Sequence, residues 1–174
     1  MTKALATALC LGLTLALVAA PTARTQTMAP AAASTPPAPA PAYGAPIALE
    51  SAQGLITAAL DHARANGWRV AVAVVEPSGE LVAFARLDDT QYGSIHVSQR
   101  KASTAARYRI PTLTMEERVL TGRIVSLANE DTLPIAGGRP IIIDGRVVGA
   151  IGVSGVTSTQ DDEVALAALA TIGD

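Results

Sequence analysis

From residue 47 onward the apolar positions switch between two spacings, and each switch marks an element. Leu55, Ile56, Ala59, Leu60 and Ala63 recur at helical spacing and Asn66-Gly67 supplies a stop, which predicts a helix over Leu49–Asn66. The Val-rich run Trp68–Glu76 then reads as a strand, Pro77 to Glu80 as a turn, and Leu81–Arg86 as a returning strand. After a polar loop over Leu87–Gly93, Ser94–Arg109 turns helical again. There Ile95, Ala102, Ala105 and Ala106 share one face, while His96, Arg100, Thr104 and Arg107 share the opposite one. Pro111 ends that helix, and Thr114-Met115-Glu116-Glu117 has the spacing of a capping box for a short helix closed by Gly122.

Arg123 to Thr132 carries no period that selects an element, and Leu133–Ala136 is expected as a short strand. The strongest local signal follows in Arg139 to Gly155, where two β-forming runs meet at Asp144-Gly145. A two-residue Asp-Gly connection favours a type I′ turn, because both central residues must accept positive φ. Gly149, Gly152 and Gly155 interrupt the second arm, which makes it either a tightly covered strand or one wall of a pocket. Asp161-Asp162-Glu163 suits a helix start, and Val164–Ile172 continues as an apolar, alanine-rich helix. Consecutive hairpins in place of alternating βαβ units imply an α+β sandwich with an antiparallel sheet.

The first 46 residues read differently. Met1 to Ala20 has Lys3 ahead of an apolar run and small residues at its end, the pattern of a secretory signal peptide and too short for a membrane anchor. Residues 21–46 are rich in Ala, Pro, Thr and Ser and are expected to form an extended linker, leaving 47–174 as the folded domain. An exported protein, periplasmic or extracellular, is the consequence, with no membrane span in the mature form. Cys10 is the single cysteine and lies in the leader, which denies the mature domain a disulfide or a thiolate. Lys3 and Arg24 also precede the domain, leaving it 11 Lys/Arg against 15 Asp/Glu, an electrostatic balance that excludes nucleic acid as a partner. With aromatics at 3%, the core must be built from Ala, Val, Ile and Leu.

Candidate chemistry is sparse. GAIGVSG lacks both the spacing and the Lys of a phosphate loop, and Ser154 lacks the setting of a nucleophile elbow, so no catalytic set emerges. His96 stands on a polar helical face one turn before Arg100. A neutral imidazole there could ligate haem iron or another metal, and a solvated or subunit-facing histidine is the plainer account. Arg100, Lys101, Arg107 and Arg109 form a basic cluster that could hold carboxylates, or could simply be a hydrated face. The acidic run at 161–163 could likewise serve the helix start or bind a hard cation weakly.

Four segments together carry a resemblance: GWRVAVAVVEPSGELVAFARLDD (67–89), QRKASTAARYRIPT (99–112), LPIAGGRPIIIDGRVVGAIGVSG (133–155) and QDDEVALAAL (160–169). In that order they resemble the HbpS/GlcG family, haem-binding proteins also called haem-degrading domains and related to the C-terminal part of PduO-type proteins. The resemblance implies a profilin-like sandwich with a five-stranded antiparallel sheet flanked by helices. It also implies haem as cofactor, homo-oligomers from dimers to octamers, and roles in haem capture, sensing, storage or degradation. The side chains it offers for the cofactor are His96, Arg100, Lys101, Thr104 and Tyr108, with His96 favoured as the metal ligand. The alternative is an enzyme, or its auxiliary subunit, acting on a small organic acid near the glycine-rich strand.

Overall fold

The computed structural model describes residues 39–172; the expected leader and most of the expected linker lie outside them. The elements are β1 (Ala42–Tyr43), α1 (Leu49–Ala65), β2 (Ala71–Val75), β3 (Leu81–Arg86), α2 (Gly93–Tyr108), α3 (Thr112–Leu120), a 3-10 helix (Ile124–Ala128), β4 (Gly138–Ile143), β5 (Arg146–Ser154) and α4 (Ser158–Leu169). The β4–β5 turn has φ of 49° at Asp144 and 69° at Gly145, the two positive values that a type I′ connection demands.

β5 is the hub of the sheet: β4 pairs along one edge, and the other edge takes β2 over 150–154 and β1 over 146–147, with β3 outside β2. The sheet is mixed, which corrects the antiparallel expectation: β2–β3, β2–β5 and β4–β5 are antiparallel, but β1 pairs with β5 in parallel, Ala42 opposite Arg146 and Tyr43 opposite Val147. Hairpin logic sees only neighbours along the chain, and this pair joins residues more than a hundred apart. The fifth strand therefore comes from the end of the Ala/Pro tract read as linker. Leu133–Ala136, the expected fifth strand, joins no ladder; Leu133 N–H donates to Thr104 Oγ1 and Ala136 N–H to Glu116 Oε2. Side-chain acceptors take up the backbone donors that a strand would have paired. α3 also departs from expectation. It starts at Thr112 without a side-chain cap, and the Thr112 hydroxyl bonds both N–H and C=O of Gly138.

The period-2 alternation of β2 and β5 sorts their side chains between two helical layers. Val70, Val72, Val74, Ile151 and Val153 pack with Leu55, Ala59 and Ala63 of α1 and Val164 and Ala168 of α4. Ala73, Val75 and Ala150 face Ala102, Ala105 and Ala106 of α2 on the other side. That second layer is thin because it has almost no side chains. A Cβ on Gly152 would run into the backbone oxygen of Ser98, and one on Gly138 into that of Lys101, so helix and sheet meet backbone to backbone. Gly149 and Gly155 are closed in the same way by Val75 and Arg69 carbonyls. Of the two readings of this strand, the tightly covered one holds at Gly149, Gly152 and Gly155.

Candidate functional site

α2 distributes the residues singled out from the sequence over three different environments. With a rise of about 1.5 Å per residue, His96 and Tyr108 stand about 18 Å apart along the helix. His96 is exposed on the first half, and Arg100, also exposed, donates through Nη2 to the Glu130 and Thr132 carbonyls at 3.2 and 3.3 Å. Lys101 points the other way. It is 1% exposed, its Nζ reaching Asp161 Oδ2 at 2.6 Å and the Val153 carbonyl at 3.0 Å. Thr104, equally buried, is occupied by the Leu133 amide at 2.9 Å. Tyr108 ends the helix at the lip of a cleft.

The basic cluster expected from Arg100, Lys101, Arg107 and Arg109 assembles only in part: Arg100 and Arg107, two turns apart on one face, both reach the 130–132 segment, while helical rotation sends Lys101 and Arg109 elsewhere. Arg107 Nε donates to the Ser78 carbonyl at 2.8 Å and Nη1 meets Asp131 at 3.3 Å. Arg109, held in a left-handed conformation at the helix end, stacks over Tyr43 at 4.9 Å and donates to the Pro41 carbonyl at 3.1 Å. Tyr43 in turn donates its hydroxyl to the Arg107 carbonyl at 2.7 Å, so these arginines seat β1. The acidic run is likewise structural. Asp161 is paired with Lys101, and Asp162 takes Arg139 in a two-pronged contact, Nε at 2.8 Å and Nη2 at 2.5 Å. Burial pushes the Asp161 carboxyl above its ordinary range, against the pull of the Lys101 ammonium and of amide hydrogen bonds. Among the described residues no group of three or more His, Cys, Asp or Glu could hold a metal.

The cleft at Tyr108 is made by residues that the sequence reading passed over. Its volume is about 360 Å³, within the range of small-molecule sites, and Met115, Val125 and Pro134 give it apolar walls while Arg118 and Arg123 stand beside them. Among the described residues neither of these two arginines has a carboxylate within ion-pair distance. The chain segment that supplies Arg123 and Val125 to the cleft is apolar and open: Leu120 is 78% exposed, Ile124 68%, Val125 67% and Leu127 60%. Four large apolar side chains exposed within residues 120–127 are apolar surface that this domain leaves unburied. Asn129 closes the far side, its Nδ2 donating to Tyr108 Oη at 2.7 Å. The signal in the sequence was the lack of period from 123 to 132, where Ile124, Val125 and Leu127 follow Arg123 and have no core face to join.

The model of the haem-degrading, HbpS-like protein family matches residues 47–170. This chain belongs to that family. It is 38% identical over 108 residues to protein GlcG of Escherichia coli strain K12, an alignment covering 62% of this chain and 81% of that protein. A Streptomyces reticuli HbpS double mutant, solved by crystallography, superposes with a TM-score of 0.70 at 31% identity, covering 84% of this chain and 98% of that one. The crystal structure of a PduOC–haem complex superposes at 0.67 with 25% identity, covering 74% and 96%. The likeness that the four sequence segments suggested is therefore shown. Among the described residues no helix is long and apolar enough to cross a membrane.

Proposed function

We propose that this protein binds haem, in the cleft between the end of α2 and the segment α3 to Asn129, as an exported member of its family. Haem presents a flat apolar ring with two carboxylates on one edge and an iron at its centre. The residues present fit that description: an open apolar ledge for the ring, unpaired Arg118 and Arg123 for the carboxylates, and a phenol at the lip. The observation that carries the reading is this pairing of exposed apolar surface with two guanidinium groups that have no carboxylate partner among the described residues, in a family named for haem. The PduOC–haem complex supports it from a relative.

Within this arrangement Arg118 and Arg123 take the part that Arg100 and Lys101 were expected to play. Lys101 and Thr104 serve the fold beneath the helix. A porphyrin in the cleft leaves His96 of its own chain out of reach, so His96 is free for a neighbouring copy in a homo-oligomer. Capture or storage of extracellular haem suits a site that is half open, and export is supported by the signal-peptide pattern of residues 1–20. For the small-organic-acid alternative, the cavity beside the glycine-rich strand is the one at the β4–β5 turn, lined by Pro140, Ile142 and Asp144, which offers no cation for a carboxylate.

Haemin titration tests the proposal. The expected result is a Soret band that shifts and saturates at a fixed stoichiometry, with weaker binding when Arg118 and Arg123 are both changed to Ala. A band that stays at its free position at micromolar protein would sink it. Export is checked by the mass of protein recovered from the culture medium or periplasm, which should lack the leader.

A further inference from the structure

Among the groups lining the cleft, Tyr108 is the one that can present an anionic oxygen, and the fold has already fixed its direction. The ring leaves the last residue of α2, and Asn129, capping the 3-10 helix, donates its amide to Oη at 2.7 Å. Asn129 is donor in this bond, so the phenol's own hydrogen is not consumed by it. Where a metal displaces that hydrogen, the amide remains as a donor to the oxygen that binds it. A phenol oxygen is a hard donor and matches a trivalent iron better than a divalent one, whereas the thioether of Met115, buried in the wall, is soft.

We propose that Tyr108 Oη is this chain's ligand for ferric porphyrin iron, with Asn129 as the residue that positions it, and that the site therefore selects ferric over ferrous haem and over metal-free porphyrin. This inference rests on the haem reading of the cleft. On ligation the O–H bond breaks, its proton passes to water, and the oxygen keeps the electron pair that it shares with the metal; no oxidant or reductant is involved. The same hydrogen bond ties the end of α2 to the loop that carries Arg123 and Val125, so ligand and carboxylate contacts belong to one unit.

The test uses the full chain with two probes, haemin and protoporphyrin IX, which has the ring and carboxylates but no iron. Wild type is expected to show the charge-transfer band and resonance Raman modes of an iron–phenolate pair, and to release its haem on reduction with dithionite. Tyr108→Phe should lose those bands and bind haemin more weakly, while keeping wild-type affinity for protoporphyrin IX, which controls for folding of the cleft. Asn129→Ala should weaken haemin binding by about tenfold, the lower end of what removing a ligand's hydrogen-bonded support costs. Unchanged haemin spectra in Tyr108→Phe, or loss of iron ligation in His96→Ala, overturn the inference while leaving haem binding intact. Failure of wild type to bind either probe overturns the haem reading and this inference together.

Discussion

Two places, one beneath α2 and one beyond its end, contain a cation close to an apolar surface, and they have opposite characters. At Lys101 the ammonium is sealed off, bonded to a carboxylate and a carbonyl, and surrounded by glycine backbone that leaves no space. Past the end of the helix, Arg118 and Arg123 are open to solvent, have no carboxylate partner among the described residues, and border apolar side chains that nothing covers. The first arrangement has all its polar groups satisfied and so belongs to stability. The second leaves charge and apolar surface unanswered, which is what a ligand with both properties requires. A basic residue in this family segment thus declares its role through its partner, and not through its place in the sequence.

The contrast breaks first at Lys101. Lys101→Met keeps the volume but strands a buried carboxylate at Asp161, and should cost about 3–5 kcal/mol in urea unfolding, with much of the loss recovered when Asp161→Leu is added. Gly152→Ala should follow, at up to about 3 kcal/mol, because its new methyl meets the Ser98 carbonyl across a backbone contact. Thr104→Val removes the acceptor of the Leu133 amide and should cost about 1 kcal/mol of stability, yet leave haemin affinity unchanged; lost affinity would place Thr104 in the site after all. Arg118→Ala and Arg123→Ala sharpen the other side. Each should alter stability by less than about 0.5 kcal/mol, as exposed substitutions do, while loosening haemin and flattening the dependence of its binding on salt.

Much of the fold was legible. Asp144-Gly145 declares its turn through a φ requirement, and the stripe from Leu55 to Ala63 declares α1 through its period, both being local properties of the chain. β1 was hidden because Ala42 and Tyr43 sit in an Ala/Pro-rich tract and pair with residues over a hundred positions away. Leu133 to Ala136 misled because an apolar run says nothing about which acceptors its amides find. The site was less legible than the fold. Lys101 and Arg100 are adjacent in sequence and only about 100° apart around α2, and only packing reveals that one is entombed and the other exposed. The exposure of Leu120 to Leu127 depends on no described residue packing over them, a property of the tertiary structure that no window of residues contains.

The glycine seats under α2 also limit how the molecule can respond to cargo. Helices cushioned on long side chains can slip by rearranging that cushion; here backbone rests on backbone at Gly138 and Gly152, and the helix is bolted down. Any shape change on loading is therefore channelled into residues 112–132, which would give hydrogen-exchange measurements a single segment that stiffens above a silent sheet.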